Sequence, residues 1–338
     1  MVSQAGIPKA VLYYDPSSAT SYAARLAIVE KGYGDDEIDY KIVDSTKGEE
    51  FYPSFLRISP KGNLPALVVP LQKTLSPEVE SRYKAITDAI IEFLDKSRST
   101  TSRTGTTSSA PAPSLSPATV SFSSVTAKLV EEVYTEGVSP ESLKLYNARD
   151  DASLKALASS LLPTLKGRQA ALDACLEDSD GISEKTKTFW RDNKTATEKL
   201  EKILSAGSFS GSDAEEYLAY AKKSWEVTLP TVLITLNKDM TGPFALGDQI
   251  SVADVHIFAW LVQLVRLCGG SLNLDGDAAI KELEKHIGAG FVLPEDFLTS
   301  PMVAGVGSEQ PRLRSRLAVF WDAMKERPSS KRLYGSGN

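Results

Sequence analysis

Cysteine and histidine are both scarce here: 338 residues carry two of each. Cys175 and Cys268 stand far apart, so no disulfide framework is expected, and a reducing, cytoplasmic setting is the default. His256 and His286 belong to no metal-spaced cluster, so no metal is expected. A Gly-rich phosphate loop is also missing. Positive charge is in deficit: 38 Lys and Arg stand against 44 Asp and Glu, a net charge of −6. A nucleic-acid partner, which favours a basic face, is therefore not expected. The longest apolar run, residues 255–268, is broken by His256, Gln263 and Arg266. It falls short of the roughly 20 residues a membrane span needs, so no membrane partner is expected either. Residues 1–8 are polar and lack the apolar centre of a secretory leader.

What remains is an ordinary globular composition, 42% hydrophobic and 24% charged, in a chain long enough for two domains. Residues 9–14 (KAVLYY) read as a short apolar strand. The turn DPSSATS follows, and a helical pattern then places Tyr22, Leu26 and Val29 on one face. Residues 37–43 alternate as a second strand, residues 49–58 suit a second helix, and residues 65–69 form a third strand. Residues 82–86 make a fourth strand, and Thr87-Asp88 caps a helix that ends near Lys96. The order β-α-β-α-β-β-α is that of a thioredoxin-like α/β domain over residues 9–96. Residues 97–120 are mostly Ser, Thr, Pro, Ala and Gly without apolar periodicity, and read as a mobile linker or surface loop.

Residues 121–335 read as an all-α C-terminal domain. Residues 154–176 are helical with an interruption at Pro163, residues 186–204 end in a patterned helix, and residues 214–236 break or kink at Pro230. Ser251 and Asp254 form a capping box ahead of a helix that is apolar nearly all round, as a central core helix is.

The segment PKGNLPALVV (residues 60–69) is the most informative. Its turn runs into Pro65, and a proline lacks a backbone donor and sits at strand starts, edges or bulges. Leu64 thereby keeps backbone groups open to an extended peptide. X-Pro is also where cis bonds occur. SATSYAARLAI (residues 18–28) resembles the first helix of serine-type glutathione transferases such as the zeta class. NLPAL (residues 63–67) is similar to that family's cis-proline segment. LGDQISVAD (residues 246–254) and FWDAMKERPS (residues 320–329) resemble its later capping box and last helix. The resemblance implies a glutathione transferase fold, and a divergent member of fungal type with a role in detoxification.

It also implies a chemistry. The thiolate of glutathione is the nucleophile, and a hydroxyl donor and a helix N-terminus both favour it. Ser18 holds the family register. Tyr14, at the end of the first strand, is where tyrosine-type classes place their hydroxyl, and Ser17, Thr20 and Ser21 share the turn. Ser17 or Ser18 also suits a simple helix cap. Asn63, Leu64 and Pro65 would meet the cysteinyl backbone, and Ser17 and Ser21 would lie beside it. Asp88 with Thr87 would meet the γ-glutamyl end, Glu80-Ser81 being the alternative. Lys47 or Lys61 would receive the glycine carboxylate. No cysteine stands at the first-helix site, so conjugation, ether cleavage or isomerisation is expected over thiol exchange. The second substrate would be a small hydrophobic electrophile against Phe122, Tyr134 and Tyr146. A homodimer would pair through the regions after Asp88 and after Val125. The other reading is a ligand-binding protein of this fold with little turnover.

Overall fold

A computed structural model describes residues 9–70, 83–98, 108–117, 119–299 and 312–335. Strand β1 (Ala10–Tyr14) lies inside a four-stranded sheet of order β2-β1-β3-β4, with β2 at Ile38–Ile42, β3 at Ala66–Pro70 and β4 at Tyr83–Ile86. β1 and β2 are parallel, with Leu12 opposite Tyr40, and β3 runs antiparallel to both β1 and β4. The parallel pair needs a crossover, and helix α1 (Ala19–Glu30) supplies it. The expected order of elements is observed. The expected second helix is shorter than its pattern: a 3₁₀ turn at Glu49–Phe51 precedes α2 (Pro53–Leu56), because Pro53 starts the helix afresh.

Helix α3 (Ile90–Ser97) departs from the expected cap. Its N-cap is Ala89, left-handed at φ 51°, and no side chain caps it, so Thr87 and Asp88 lie short of the helix start. The Ser/Thr/Pro-rich stretch is also unlike its composition where it is described. Residues 108–117 are strapped to the α/β part. Asp95 accepts from the Leu115 and Ser116 amides at 2.9 Å each, Lys31 donates to the Pro113 carbonyl at 2.6 Å, and Arg98 reaches the Ser108 and Ala110 carbonyls. Leu115 is fully buried. Local composition missed this because two of the anchoring charges, Lys31 and Asp95, lie outside the stretch.

The second part is helical: α4 (Val120–Val133), α5 (Pro140–Leu145), α6 (Asp151–Glu177), α7 (Glu184–Ala206), α8 (Ser212–Lys223), α9 (Leu229–Asp239), α10 (Val252–Leu267), α11 (Gly276–Ile287), α12 (Arg316–Glu326) and α13 (Pro328–Gly335). A two-residue antiparallel pair, β5 (Phe297–Leu298) with β6 (Leu313–Arg314), and an isolated bridge between Phe244 and Gly247 are its departures from all-helix among the described residues. α6 continues through Pro163, which faces water, where the freed carbonyl one turn back can be hydrated. The break near Pro230 falls before it, as a π-turn over Ser224–Thr228 that accommodates the missing amide.

α10 is the axis of the core. Phe258 meets Tyr22 of α1 at 6.5 Å and Trp321 of α12 at 5.8 Å between ring centroids. Burying such side chains contributes roughly 1.5–3 kcal/mol each. The sheet and the helices are joined elsewhere by charge: Arg327 forks onto Glu30 at 2.6 and 2.8 Å.

Candidate functional site

The Leu64–Pro65 bond is cis, and Gly62, at φ 65°, turns the chain ahead of it. Leu64 lies beside the N-terminus of α1. Thr20 Oγ1 donates to the Leu64 carbonyl at 3.0 Å, while the Leu64 amide has no partner among the described residues. Ser18 is the N-cap of α1, and its oxygen accepts from the Ser21 amide at 3.4 Å. Ser18 and Thr20 hydroxyls also meet at 2.9 Å. A hydroxyl has one proton. Thr20 spends its proton on Leu64, so Ser18 is the donor in that contact. Delivering the Ser18 proton elsewhere requires only that this one bond be exchanged.

The neighbouring hydroxyls are committed. Ser17 donates to Asp15 Oδ1 at 2.8 Å, and its amide does so at 2.7 Å. Ser21 is fully buried and accepts from the Asp15 amide at 3.2 Å. Tyr14 is buried, with the Arg25 guanidinium 4.9 Å from its ring centre. Ser17, Ser18 and Thr20 line a cleft of about 680 Å³, together with Lys61, Asn63 and Leu64. Tyr14, Ser21, Pro65, Lys47, Thr87 and Asp88 do not line it. Lys47 is exposed and pairs with Asp44 at 2.9 Å. Thr87 is half-buried and Asp88 exposed. Glu80 and Ser81 lie outside the described residues.

The cleft's far wall differs from the expected one. Phe122 is exposed on α4, Tyr134 pairs with His256 Nδ1 at 2.8 Å, and Tyr146 packs on Tyr217 and Tyr220. None of the three lines the cleft. Leu145 of α5, Leu161 and Leu165 of α6, Phe189 and Leu200 of α7, and Leu267 of α10 build the wall instead. Tyr146 is held by other rings and Tyr134 by the histidine, which turns these two away.

Sequence reasoning missed several charged residues in this cleft, Glu141 and Arg168 among them. Glu141 of α5 accepts from the Ala19 amide, the first of α1, at 3.0 Å. Its carboxylate sits where the helix concentrates positive charge. Arg168 of α6 pairs with Glu50 at 2.5 Å and lies 4.8 Å over the Phe51 ring. Gly167 allows this: a Cβ there would sit 2.4 Å from the Thr46 carbonyl, so only glycine lets α6 approach the turn so closely. A glycine inside a long helix was the available signal, since it costs about 1 kcal/mol against alanine. Burial pushes the Glu50 carboxyl up against the pull of Arg168. Its second oxygen is buried without a partner.

The titratable groups outside the cleft are structural. Burial lowers both histidines to about 4, and His286 bonds Asn147 at 2.8 Å. Burial raises both cysteine thiols above their usual value, away from the reactive thiolate. Among the described residues no group of three or more metal-ligating side chains converges. No described helix is long and apolar enough to cross a membrane.

No family model matches the chain. A zeta-class glutathione S-transferase from Euphorbia esula is 42% identical over 67 residues, which span 20% of this chain and only 28% of that relative. Among solved structures, the β-etherase LigF from Sphingobium aligns over 98% of this chain and 100% of its own, with a TM-score of 0.51 and 16% identity. A glutathione transferase homologue from Sulfitobacter, with bound glutathione, aligns over 97% and 98% at a TM-score of 0.48 and 14% identity. The architecture is the glutathione transferase fold, a thioredoxin-like α/β part followed by a helical one.

Proposed function

We propose that the protein binds glutathione and activates its thiol for attack on an apolar or aromatic electrophile. One observation carries this reading: the Leu64 amide, unpaired among the described residues, and the Ser18 hydroxyl share one wall of a cleft whose other wall presents leucines and Phe189 among polar side chains. The amide offers a partner to a peptide carbonyl. Ser18, exchanging its contact with Thr20, donates to sulfur and favours the thiolate, and the N-terminus of α1 acts in the same direction. The thiolate then forms a carbon–sulfur bond and the electrophile's leaving group departs with the electron pair. Ser18 is thus the serine-type donor, and Tyr14, turned towards Arg25, is the weaker candidate. Asn63, Lys61 and Arg168 would face the cysteinyl–glycine end, with Arg168 better placed for a carboxylate than Lys47. Asp88 and Thr87 would meet the γ-glutamyl end as glutathione reaches past the cleft edge. The reading extends to a cytoplasmic, two-fold homodimer acting in detoxification, and light scattering at micromolar concentration tests the dimer.

A second reading has its own support. Glu141 already holds the first amide of α1, and an anion there opposes a thiolate. That favours a binding protein of this fold with little turnover. A fluorescence titration with glutathione, followed by an assay with 1-chloro-2,4-dinitrobenzene, separates the two. Saturable binding with conjugation is expected. Binding without conjugation leaves the carrier, and no binding of glutathione removes the transferase reading.

A further inference from the structure

Strand β2 is one edge of the sheet, and its outer side is open among the described residues. On its inner side the Ala10 amide donates to the Glu37 carbonyl at 3.0 Å, and the Val43 amide to the Tyr14 carbonyl at 2.9 Å. The parallel register therefore turns the backbone groups of Asp39 and Lys41 towards β1. Ile38, Tyr40 and Ile42 turn theirs outward, where they meet no partner among the described residues. Such an edge is a template for another strand unless proline, a bulge or a covering element blunts it. No proline interrupts β2, and Tyr40 is 43% and Ile42 60% exposed.

The strand reads Ile-Asp-Tyr-Lys-Ile, which is complementary to itself when reversed. We propose that β2 pairs antiparallel with β2 of a second copy of this chain, about a two-fold axis at Tyr40. In that register Tyr40 faces the partner's Tyr40, Ile38 faces the partner's Ile42, and Asp39 faces the partner's Lys41. The outward backbone groups exchange hydrogen bonds across the axis. Asp39 and Lys41 fall between those bonds, where facing side chains come closest, and opposite charges there are favourable. Both are exposed, with only Lys9 at 2.9 Å from Asp39 and the Tyr13 ring beside Lys41. The opposite edge, β4, carries Lys84 and no acid, so it lacks this complementarity. β2 lies across the sheet from the region after Asp88, so the pairing uses a face of its own and owes nothing to glutathione. A strand of 5 residues covers less than the roughly 1,200–2,000 Å² of a stable interface, so the association is weak and concentration-dependent.

Disulfide trapping reads this edge alone, since both native cysteines are buried. In the paired strands residue 40 meets its own copy with Cα atoms about 5.5 Å apart, within disulfide range. Residue 41 meets its own copy only on the diagonal, about 7–8 Å away. With copper phenanthroline as oxidant, Tyr40→Cys is expected to form a covalent dimer at a rate that rises with concentration. Lys41→Cys alone should cross-link about tenfold more slowly, whereas a mixture of Asp39→Cys and Lys41→Cys should join the two chains. That mixture carries the test where Tyr40→Cys fails to fold. Adding Lys41→Asp to Tyr40→Cys sets like charges face to face and should slow trapping about tenfold, and adding Asp39→Lys as well should restore it. No disulfide through residue 40 or between 39 and 41, equal rates at 40 and 41, or a double swap that restores nothing overturns the pairing. A chain that dimerises only through another face, or whose β2 takes a different partner, gives the first of these results.

Discussion

Among the helices that begin at a serine, α1 and α10 have starts built in opposite ways. At α10, Asp254 takes the Ser251 amide and hydroxyl at 2.7 Å each and the Ala245 amide at 2.6 Å, all within the core. That end is sealed by its own sequence. At α1 the Ser18 cap is long, the first turn holds no acid, and the acid that does arrive comes from α5, 122 residues away. The sealed start has nothing left to offer a ligand. The open start faces a cleft and keeps a hydroxyl whose single bond can be exchanged. A cap closed locally is a device of stability, whereas a cap completed from afar leaves room for a guest.

The largest effect expected from breaking this contrast is at the sealed end. Asp254→Ala should cost about 3–5 kcal/mol in urea unfolding, because three donors lose their acceptor in the core. A loss under about 1 kcal/mol would mean the end is not sealed. Burial pushes this carboxyl up to about 6. The folded state therefore holds the proton more tightly than the unfolded one. This contribution to stability is full below about pH 4 and is lost as pH rises through 6. Asp254→Asn should flatten that part of the pH–stability curve.

At the open end, Ser18→Ala should leave stability within about 1 kcal/mol but cut conjugation by roughly ten- to a thousandfold. Glutathione affinity should change little. Full turnover in Ser18→Ala with loss in Tyr14→Phe would transfer the role to the tyrosine. The smallest expected effect is from Glu141→Gln. Removing an anion from the start of α1 is worth about 0.3–1 kcal/mol, so the bound thiol pKa should fall by a few tenths of a unit. Thiolate absorbance across a pH series measures it, and a rise would make Glu141 an aid to deprotonation instead.

The two ends were not equally legible. Ser251 and Asp254 are three residues apart, so their capping box is written in adjacent sequence and was read correctly, and the hydroxyl in addition donates to Asp254. The order of elements along the chain and the Leu64–Pro65 turn were legible for the same reason, since periodicity and proline act locally. Glu141, Arg168 and Leu267 were not legible as a group. They converge only because α5, α6 and α10 pack around one cleft, and no spacing within a single helix encodes that. Pro163 misled because its exposure, which makes it tolerable, is a tertiary property. The strap over residues 108–117 misled because Lys31, Asp95 and Arg98, which hold it, belong to other elements.

That strap also makes Lys31 a clock. An amine reagent in water labels lysines as it meets them, and Lys31 is fully enclosed, paired with Asp95 at 2.8 Å and bonded to the Pro113 carbonyl. Acylation there must wait for the strap to lift. The rate at which Lys31 gains an acyl group, set against an exposed neighbour such as Lys61, therefore counts how often this clasp opens in the folded protein.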